Sequence, residues 1–373
     1  MSDALRNLYL VIAQECNLAC SYCYAGGGGF GRPALHMAEA TMRRGLERLL
    51  PLAGEHLTLS FFGGEPLLNF PLLRETIDFA NRLAGTAGRR LSFALTTNGT
   101  VLDDEMLATI KTHIAHLAIS LDGDAPANGA RLFLDGRPAF ATIAANIDQL
   151  RQWRIPFALR ATITPDNVAQ APETAEFLAG LGAVSVRLLP AQGIAWPRED
   201  RRRLRAAMAE INRRGLRAML AGEEPQACEH AYRLVAHRAA GYDATRPCLA
   251  GGGILALAAD GTVFPCEHFV GVDALAMGHV DDDDFPGRRY REIVARFAAA
   301  TTAMRPRCAT CDVRDACGGQ CYAETWLATG SLEQPAADYC AMVHHAYRAL
   351  EPELARGLAD PAGAERLREA VGA

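Results

Sequence analysis

Through the first half of the chain, short apolar or β-branched runs alternate with longer stretches whose apolar residues recur every three or four positions. That is the pattern of parallel strands linked by crossover helices. Strands are expected near Leu8–Ile12, Leu57–Phe62, Leu91–Thr96, Leu117–Leu121, Phe157–Ile163 and Val184–Leu189. Helices are expected between them at Ala38–Leu50, where Met42, Leu46, Leu49 and Leu50 share a face, and at Leu72–Ala84, Asp103–His113, Phe140–Trp153 and Val168–Gly180. Asp103 and Asp166 stand where N-caps belong, and Gly182 follows as a stop signal. Pro197–Leu220 interleaves charged and apolar residues as in one long helix, with Arg201–Arg203 reading as its solvated face. Beyond Cys248 the texture turns Gly- and Cys-rich with little periodicity, as expected where metal rather than a core holds the fold.

Six βα units make three quarters of a TIM barrel, so the expected class is α/β. A partial (βα)6 barrel should span residues 1–195, a helical bridging region 196–245, a Cys-rich domain 246–345 and a helical tail 346–373. With 373 residues, half of them apolar, the chain can bury a large core. A net charge of −5 provides no basic field for nucleic acid. No apolar run approaches bilayer length, and the N-terminus lacks the layout of a signal peptide, so the expected location is cytoplasmic. In that reducing compartment the eleven cysteines point to metal or redox chemistry rather than disulfides. Asp281–Asp284 reads as a solvated loop. Gly26–Gly29, which no phosphate-loop Lys-Ser/Thr follows, reads as a mobile one.

Cysteines fall into two groups. Cys16, Cys20 and Cys23 share one short loop after the first strand. A 4Fe-4S cluster held by three thiolates keeps one iron open to a small molecule, whereas a structural site wants four ligands. From spacing alone, a zinc ion completed by His36 stays possible. The second group reads Cys248-x12-Gly261-x4-Cys266, Cys308-x2-Cys311-x5-Cys317-x3-Cys321, then Cys340. Seven thiols exceed one tetrahedral ion and suit two clusters or two zinc ions. Cys228 lies apart from both groups in a helix-like context. At the C-terminal ends of the expected strands, where barrel enzymes build their sites, stand Gly63-Gly64-Glu65-Pro66, Thr96-Thr97-Asn98-Gly99 and Ser120-Leu121-Asp122-Gly123.

With Cys16, Cys20, Tyr22 and Cys23 matching Cys-x3-Cys-x-aromatic-Cys, and the other motifs in order behind them, the sequence resembles the radical S-adenosylmethionine enzymes. Its second cysteine group resembles their SPASM extension at all seven positions. The resemblance implies three 4Fe-4S clusters and S-adenosylmethionine, whose reductive cleavage yields a 5′-deoxyadenosyl radical that abstracts hydrogen. It assigns Cys16, Cys20 and Cys23 to the catalytic cluster and Cys308, Cys311, Cys317 and Cys340 to an outer auxiliary one. Cys248, Cys266 and Cys321 go to an inner cluster whose fourth ligand is Cys228, substrate or nothing. Tyr22, the backbone of Gly63, Gly64 and Glu65, and Asn98, Ser120, Asp122, Arg131 and Leu189 become the cofactor-binding set. The family's acidic, His-containing stretch before the arginine is replaced here by Asp124–Ala130, so Arg160 is an alternative for the methionyl carboxylate.

Val263–Gly271 and Met277–Val280 look like the corresponding segments of ribosomal-peptide maturases that install thioether or carbon-carbon crosslinks. Glu267 stands where anaerobic sulfatase-maturing enzymes keep an acidic residue thought to remove a proton from the substrate; its alternative role is to support the cluster. The expected partners are therefore a peptide or protein substrate and an electron donor such as flavodoxin or ferredoxin. Because the first strand begins near Leu8, either a separate protein presents the leader peptide or the barrel recognises the substrate unaided. Formylglycine formation on a sulfatase is the competing enzymatic expectation, and a non-catalytic iron-sulfur electron carrier the competitor from another class.

Overall fold

A computed structural model describes residues 4–373. In chain order the elements are β1 (Leu5–Ala13), α1 (Glu39–Leu49), β2 (Ala53–Gly63), α2 (Phe70–Ala87), β3 (Arg90–Thr97), α3 (Asp104–His113), β4 (Ile114–Ser120), α4 (Phe140–Gln152), β5 (Ala158–Ile163), α5 (Ala171–Gly180) and β6 (Ser185–Pro190). There follow α6 (Arg198–Ala221), α7 (Glu229–Ala240), β7 (Ile254–Leu257), β8 (Thr262–Phe264), β9 (Gly278–His279) and α8 (Arg288–Ala299). The chain closes with α9 (Pro306–Ala309), α10 (Arg314–Cys317), α11 (Tyr322–Thr329), α12 (Ala337–Ala359) and α13 (Pro361–Ala370). The six expected βα units are present in order, an α/β fold with the parallel strands of a partial barrel. Two compact units make up the chain: one runs to Leu121 and adds Asn128–Ala158 and Leu249–Ala299, and the other holds Asp122–Ala127, Leu159–Cys248 and Ala300–Ala373.

In the first unit the strand order is β4-β3-β2-β1-β7-β8-β9. β1 is central and pairs in parallel with both β2 and β7, with Leu8 opposite Leu59 and Leu255. Flanked on both sides and covered on both faces, it buries Leu8, Leu10, Val11 and Ile12 completely, which is why it reads as a continuous apolar run. α1 turns Met42, Leu46 and Leu49 inward as its periodicity requires. Asp103 caps α3, its carboxylate accepting from Met106 N at 2.8 Å.

In the second unit β5 and β6 are neighbours, burying Leu159, Ala161 and Ile163 on one and Val186 and Leu188 on the other. Asp166 does not cap the next helix. It is exposed, and the chain enters α5 through a 3-10 turn at Val168–Gln170. Asn167 occupies the turn instead, its Oδ1 reaching back to accept from Thr164 N at 2.7 Å; this bond back to the end of the strand wins over the cap. The long helix expected at Pro197–Leu220 is α6. Arg202 and Arg203 are exposed on it, while Arg201 reaches Asp338 of α12 at 3.1 Å. Periodicity also returns within the Cys-rich region, against expectation, in α8 and in the first turns of α12, which bury residues such as Ile293, Phe297, Met342 and Val343, and it continues through α13 in the expected helical tail. Among the described residues no helix is long and apolar enough to cross a membrane.

Candidate cluster and cofactor site

β1 ends at Ala13 and β2 at Gly63, side by side. A Cβ on Gly63 would strike the Ala13 carbonyl, and one on Gly64 the Glu15 carbonyl, so these glycines let the second strand's end close onto the cysteine loop. Gly28 completes the contact, its own Cβ position lying 2.5 Å from Gly64 Cα at φ +92°. Of the Gly26–Gly29 tract, Gly28 is thus packed into the site, while Gly26 and Gly27 have open space around them. Further along the same loop, Phe30 lies against Gly271 and Arg32 pairs with Asp260 at 2.6 Å.

Glu65 is the anchor of this arrangement. Fully buried, it accepts from Asn98 N at 2.6 Å, Thr97 Oγ1 at 2.8 Å and Leu67 N at 3.0 Å, tying the end of β3 to the end of β2. Burial lifts its carboxyl from 4.5 to about 7, the three donors pulling the other way. Asn98, so held, donates to Asn17 Oδ1 at 2.8 Å and reaches Cys16 Sγ at 3.6 Å; Leu18 N also points at that sulfur, at 3.4 Å. Asn17 in turn donates to Thr100 Oγ1 at 2.9 Å. Burial pushes the Cys16 thiol above its usual range. A sulfur supplied with N–H donors yet raised by burial suits a cation that takes it as thiolate.

Tyr22 is half-buried, with the Arg131 guanidinium 5.6 Å from its ring centroid. Arg131 itself is buried, and its segment is stitched to the cysteine loop by Ala19 N donating to Leu132 O at 2.8 Å. Ser120 ends β4 half-buried. His36, the residue that could complete a zinc site, faces Glu15 at 3.3 Å. The first unit therefore brings Tyr22, Gly63, Gly64, Glu65, Asn98 and Arg131 around the three-cysteine loop. In the second unit lie Asp122, buried and accepting from Thr162 N at 2.8 Å, with half-buried Arg160 and Leu189.

Cys266 and Glu267 follow β8 in the first unit, both buried. Glu267 Oε1 lies 3.0 Å from His268 Nδ1, and the His268 ring stacks on Tyr24 at 4.5 Å and 12°. Tyr24 is the residue after Cys23, so the candidate base is connected through two rings to the first cysteine loop. Neither ring was marked by spacing.

The second unit gathers Cys308 of α9, Cys311, Cys317 at the end of α10 and Cys340 of α12 around one cavity of about 390 Å³. Burial raises the Cys308, Cys317 and Cys340 thiols, Cys317 to about 12, and their mutual repulsion adds to it. Four crowded thiols of this kind fit a shared metal centre. A second observation points the same way. Arg305, wholly buried three residues before Cys308, donates Nη1 to Gln320 O at 3.1 Å and stacks on Tyr322 at 4.7 Å, but Nε and Nη2 have no partner. A buried cation left so has use for an anionic neighbour. Cys248 and half-buried Cys321 also lie in this unit, burial lifting Cys321 to about 12 with Cys248 adding to it. Cys228 packs against Gly215 of α6, and burial lifts its thiol to about 11.

Residues 10–178 match the Radical SAM superfamily. An uncharacterised protein of Methanocaldococcus jannaschii is 28% identical over 186 residues, which is 50% of this chain and 63% of that protein, under two thirds of its length. The serine-type anaerobic sulfatase-maturating enzyme of Klebsiella aerogenes is 24% identical across 84% of this chain and 78% of its own. PqqA peptide cyclase of Gluconobacter oxydans is 25% identical across 87% of each. AdoMet-dependent heme synthase of Oleidesulfovibrio alaskensis is 27% identical across 91% of this chain and 88% of its own. The fold is that of native anSMEcpe with bound AdoMet and Cp18Cys peptide, with a TM-score of 0.77 at 17% identity over 94% of this chain and 98% of that one.

Proposed function

We propose that the chain is a radical S-adenosylmethionine enzyme that matures a ribosomally synthesised peptide, abstracting hydrogen from one residue to give a thioether or carbon-carbon crosslink; the Radical SAM match over residues 10–178 supports the enzyme class. What carries the reading is the three-thiol loop enclosed by Gly64 and Asn98, joined in the same chain by a separate four-thiol cavity. Peptide and protein maturases among its relatives, matched over most of their length, support the substrate class.

On this reading Cys16, Cys20 and Cys23 hold the catalytic 4Fe-4S cluster. Cys308, Cys311, Cys317 and Cys340 hold one auxiliary cluster, and Cys248, Cys266 and Cys321 another, with Cys228 a packed thiol. When bound, the catalytic cluster and S-adenosylmethionine supply a 5′-deoxyadenosyl radical. The Gly63-Gly64 backbone, Tyr22, Asn98, Ser120, Asp122, Arg131 and Leu189 orient the cofactor. Glu267, held by His268 and Tyr24, takes a proton from the substrate, and the electron that the substrate radical gives up as the crosslink forms has its acceptor in the auxiliary clusters, when bound. A cavity of about 530 Å³ at the end of β6, walled by Trp196, Leu204, Leu327 and Met342, offers room for an apolar part of the peptide.

Anaerobic reconstitution with iron and sulfide, followed by S-adenosylmethionine and dithionite, should release 5′-deoxyadenosine. Replacing Cys16, Cys20 and Cys23 with Ala should abolish that release while auxiliary iron remains. Co-expression with the product of a small neighbouring reading frame should give a peptide lighter by two hydrogens, its crosslink located by fragmentation. No release from iron-replete protein would sink the enzymatic reading. A peptide carrying formylglycine, or turnover of a tetrapyrrole instead of a peptide, would sink the crosslinking one.

A further inference from the structure

Beyond its four cysteines, the cavity in the second unit contains a fifth donor that no spacing pattern assigned. His344 sits on α12 one turn after Cys340, so both side chains project from the same face of the helix into the same cavity. Its Nε2 lies 3.2 Å from Cys311 Sγ. Asp312, the residue after Cys311, faces the other ring nitrogen at 3.5 Å and is itself held by Arg348 at 2.9 Å. The sulfur is therefore the ring's hydrogen-bond partner, with the carboxylate farther off on the opposite edge.

We propose that His344 donates a hydrogen bond from Nε2–H to the Cys311 sulfur and thereby sets the reduction potential of the auxiliary cluster held at Cys308, Cys311, Cys317 and Cys340. The inference rests on the reading that these thiols hold an iron-sulfur cluster. A sulfur that ligates iron is a thiolate and can only accept, so the nitrogen facing it at 3.2 Å must be the donor. Donors to cluster sulfurs stabilise the more negative, reduced state and so raise the potential. His344 is a positioning and tuning group here. Four thiols already complete a cluster's ligand set, and the histidine lies at hydrogen-bond distance from one of them.

The test uses the full chain with Cys16, Cys20 and Cys23 replaced by Ala, so that the catalytic cluster does not contribute. Iron and acid-labile sulfide per chain are measured first, then the cluster potentials by EPR-monitored redox titration, for His344 and for the His344→Leu and His344→Gln variants. The expected result is one transition shifted to lower potential in His344→Leu and returned toward the parent value in His344→Gln, whose amide can place an N–H near the same sulfur. Iron and sulfide should be equal in all three. Unshifted transitions in His344→Leu at equal iron content would overturn the inference and leave the cluster reading standing. Loss of one cluster's iron in both variants would overturn it in favour of His344 as a ligand. A parent chain with no iron-sulfur signal from this site would overturn the cluster reading, and the inference with it.

Discussion

Glu65 offers the sharpest test of how the cofactor end of the barrel is held together. Its carboxyl is buried without a cation and carries three donors, and burial lifts it from 4.5 to about 7. Between those two values the folded chain holds a proton that the unfolded chain has released. Stability therefore falls as pH rises through this window and levels off above it. The distance from 4.5 to about 7 is worth about 3 kcal/mol. Glu65→Gln cannot titrate. Its oxygen can keep the Leu67 and Thr97 bonds, while its amide meets Asn98 N as donor to donor and loses the third, a cost of about 1–3 kcal/mol. That cost is the same at every pH. The stability difference between the wild type and Glu65→Gln should therefore shift against the wild type by about 3 kcal/mol between pH 4.5 and pH 8.

Urea unfolding of the cluster-free, reduced chain, followed by circular dichroism under anaerobic conditions, measures this difference. The relevant transition is the one that the substitution moves. A difference that stays flat with pH would refute the reasoning, because the carboxyl would then not be held at a raised value. Glu65→Ala goes further. It frees Asn98, and with it a donor to Cys16, so it should lower iron retention at the first site and cut S-adenosylmethionine cleavage at least tenfold, read from 5′-deoxyadenosine release.

Gly64→Ala puts a Cβ against the Glu15 carbonyl and 2.8 Å from Gly28 Cα, both backbone, so nothing flexible can give way; a loss of about 3 kcal/mol is expected in thermal or urea unfolding. Glu267→Gln should reduce crosslinked product by about 10²–10⁴-fold in mass-spectrometric rate assays while 5′-deoxyadenosine still forms, and equal losses of both would remove Glu267 from the role of base. Tyr24→Leu, which takes away the ring that seats His268, should reduce product less, by about 10–100-fold, with cleavage again retained. Arg305→Met should act with opposite signs in two states. The cluster-free chain gains about 1–2 kcal/mol from losing an unpaired buried cation, while the loaded chain releases iron faster on chelator challenge. Destabilisation of both would show Arg305 to be purely structural.

The elements that the chain announces are those whose causes lie close together in sequence. β1 reads as a strand because both its faces are covered, and α1 because Met42, Leu46 and Leu49 repeat on one side. Cysteines are legible for the same reason, since three thiols within eight residues must share a neighbourhood whatever the rest of the fold does. Asp166 and Asn167 mark where local rules begin to compete. Both can cap a helix, and Asn167 is taken by the turn that returns to Thr164. The glycine tract goes further out of reach. Composition makes Gly26–Gly29 look loose, and only the approach of Gly64, thirty-six residues after Gly28, makes Gly28 part of the site.

Each residue that sequence reading passed over is of that second kind. Tyr24 matters because His268 lies on it, Arg305 because two of its donors are buried without partners, and His344 because Cys311 is 3.2 Å away. Of the three, only His344 had a readable signal, its one-turn spacing from Cys340. Tyr24 depends on a contact with a segment far away in the chain, and Arg305 on how its surroundings are buried, neither of which spacing encodes. The cysteines, proposed above as cluster ligands, are thus the legible layer of this protein. The groups that orient those thiols, supply their hydrogen bonds and balance their charge form a second layer, set by tertiary packing. If that division holds, changes to the second layer should leave iron bound and alter what the iron does, and the His344 and Tyr24 variants separate the two layers by measuring iron content and chemistry on the same sample.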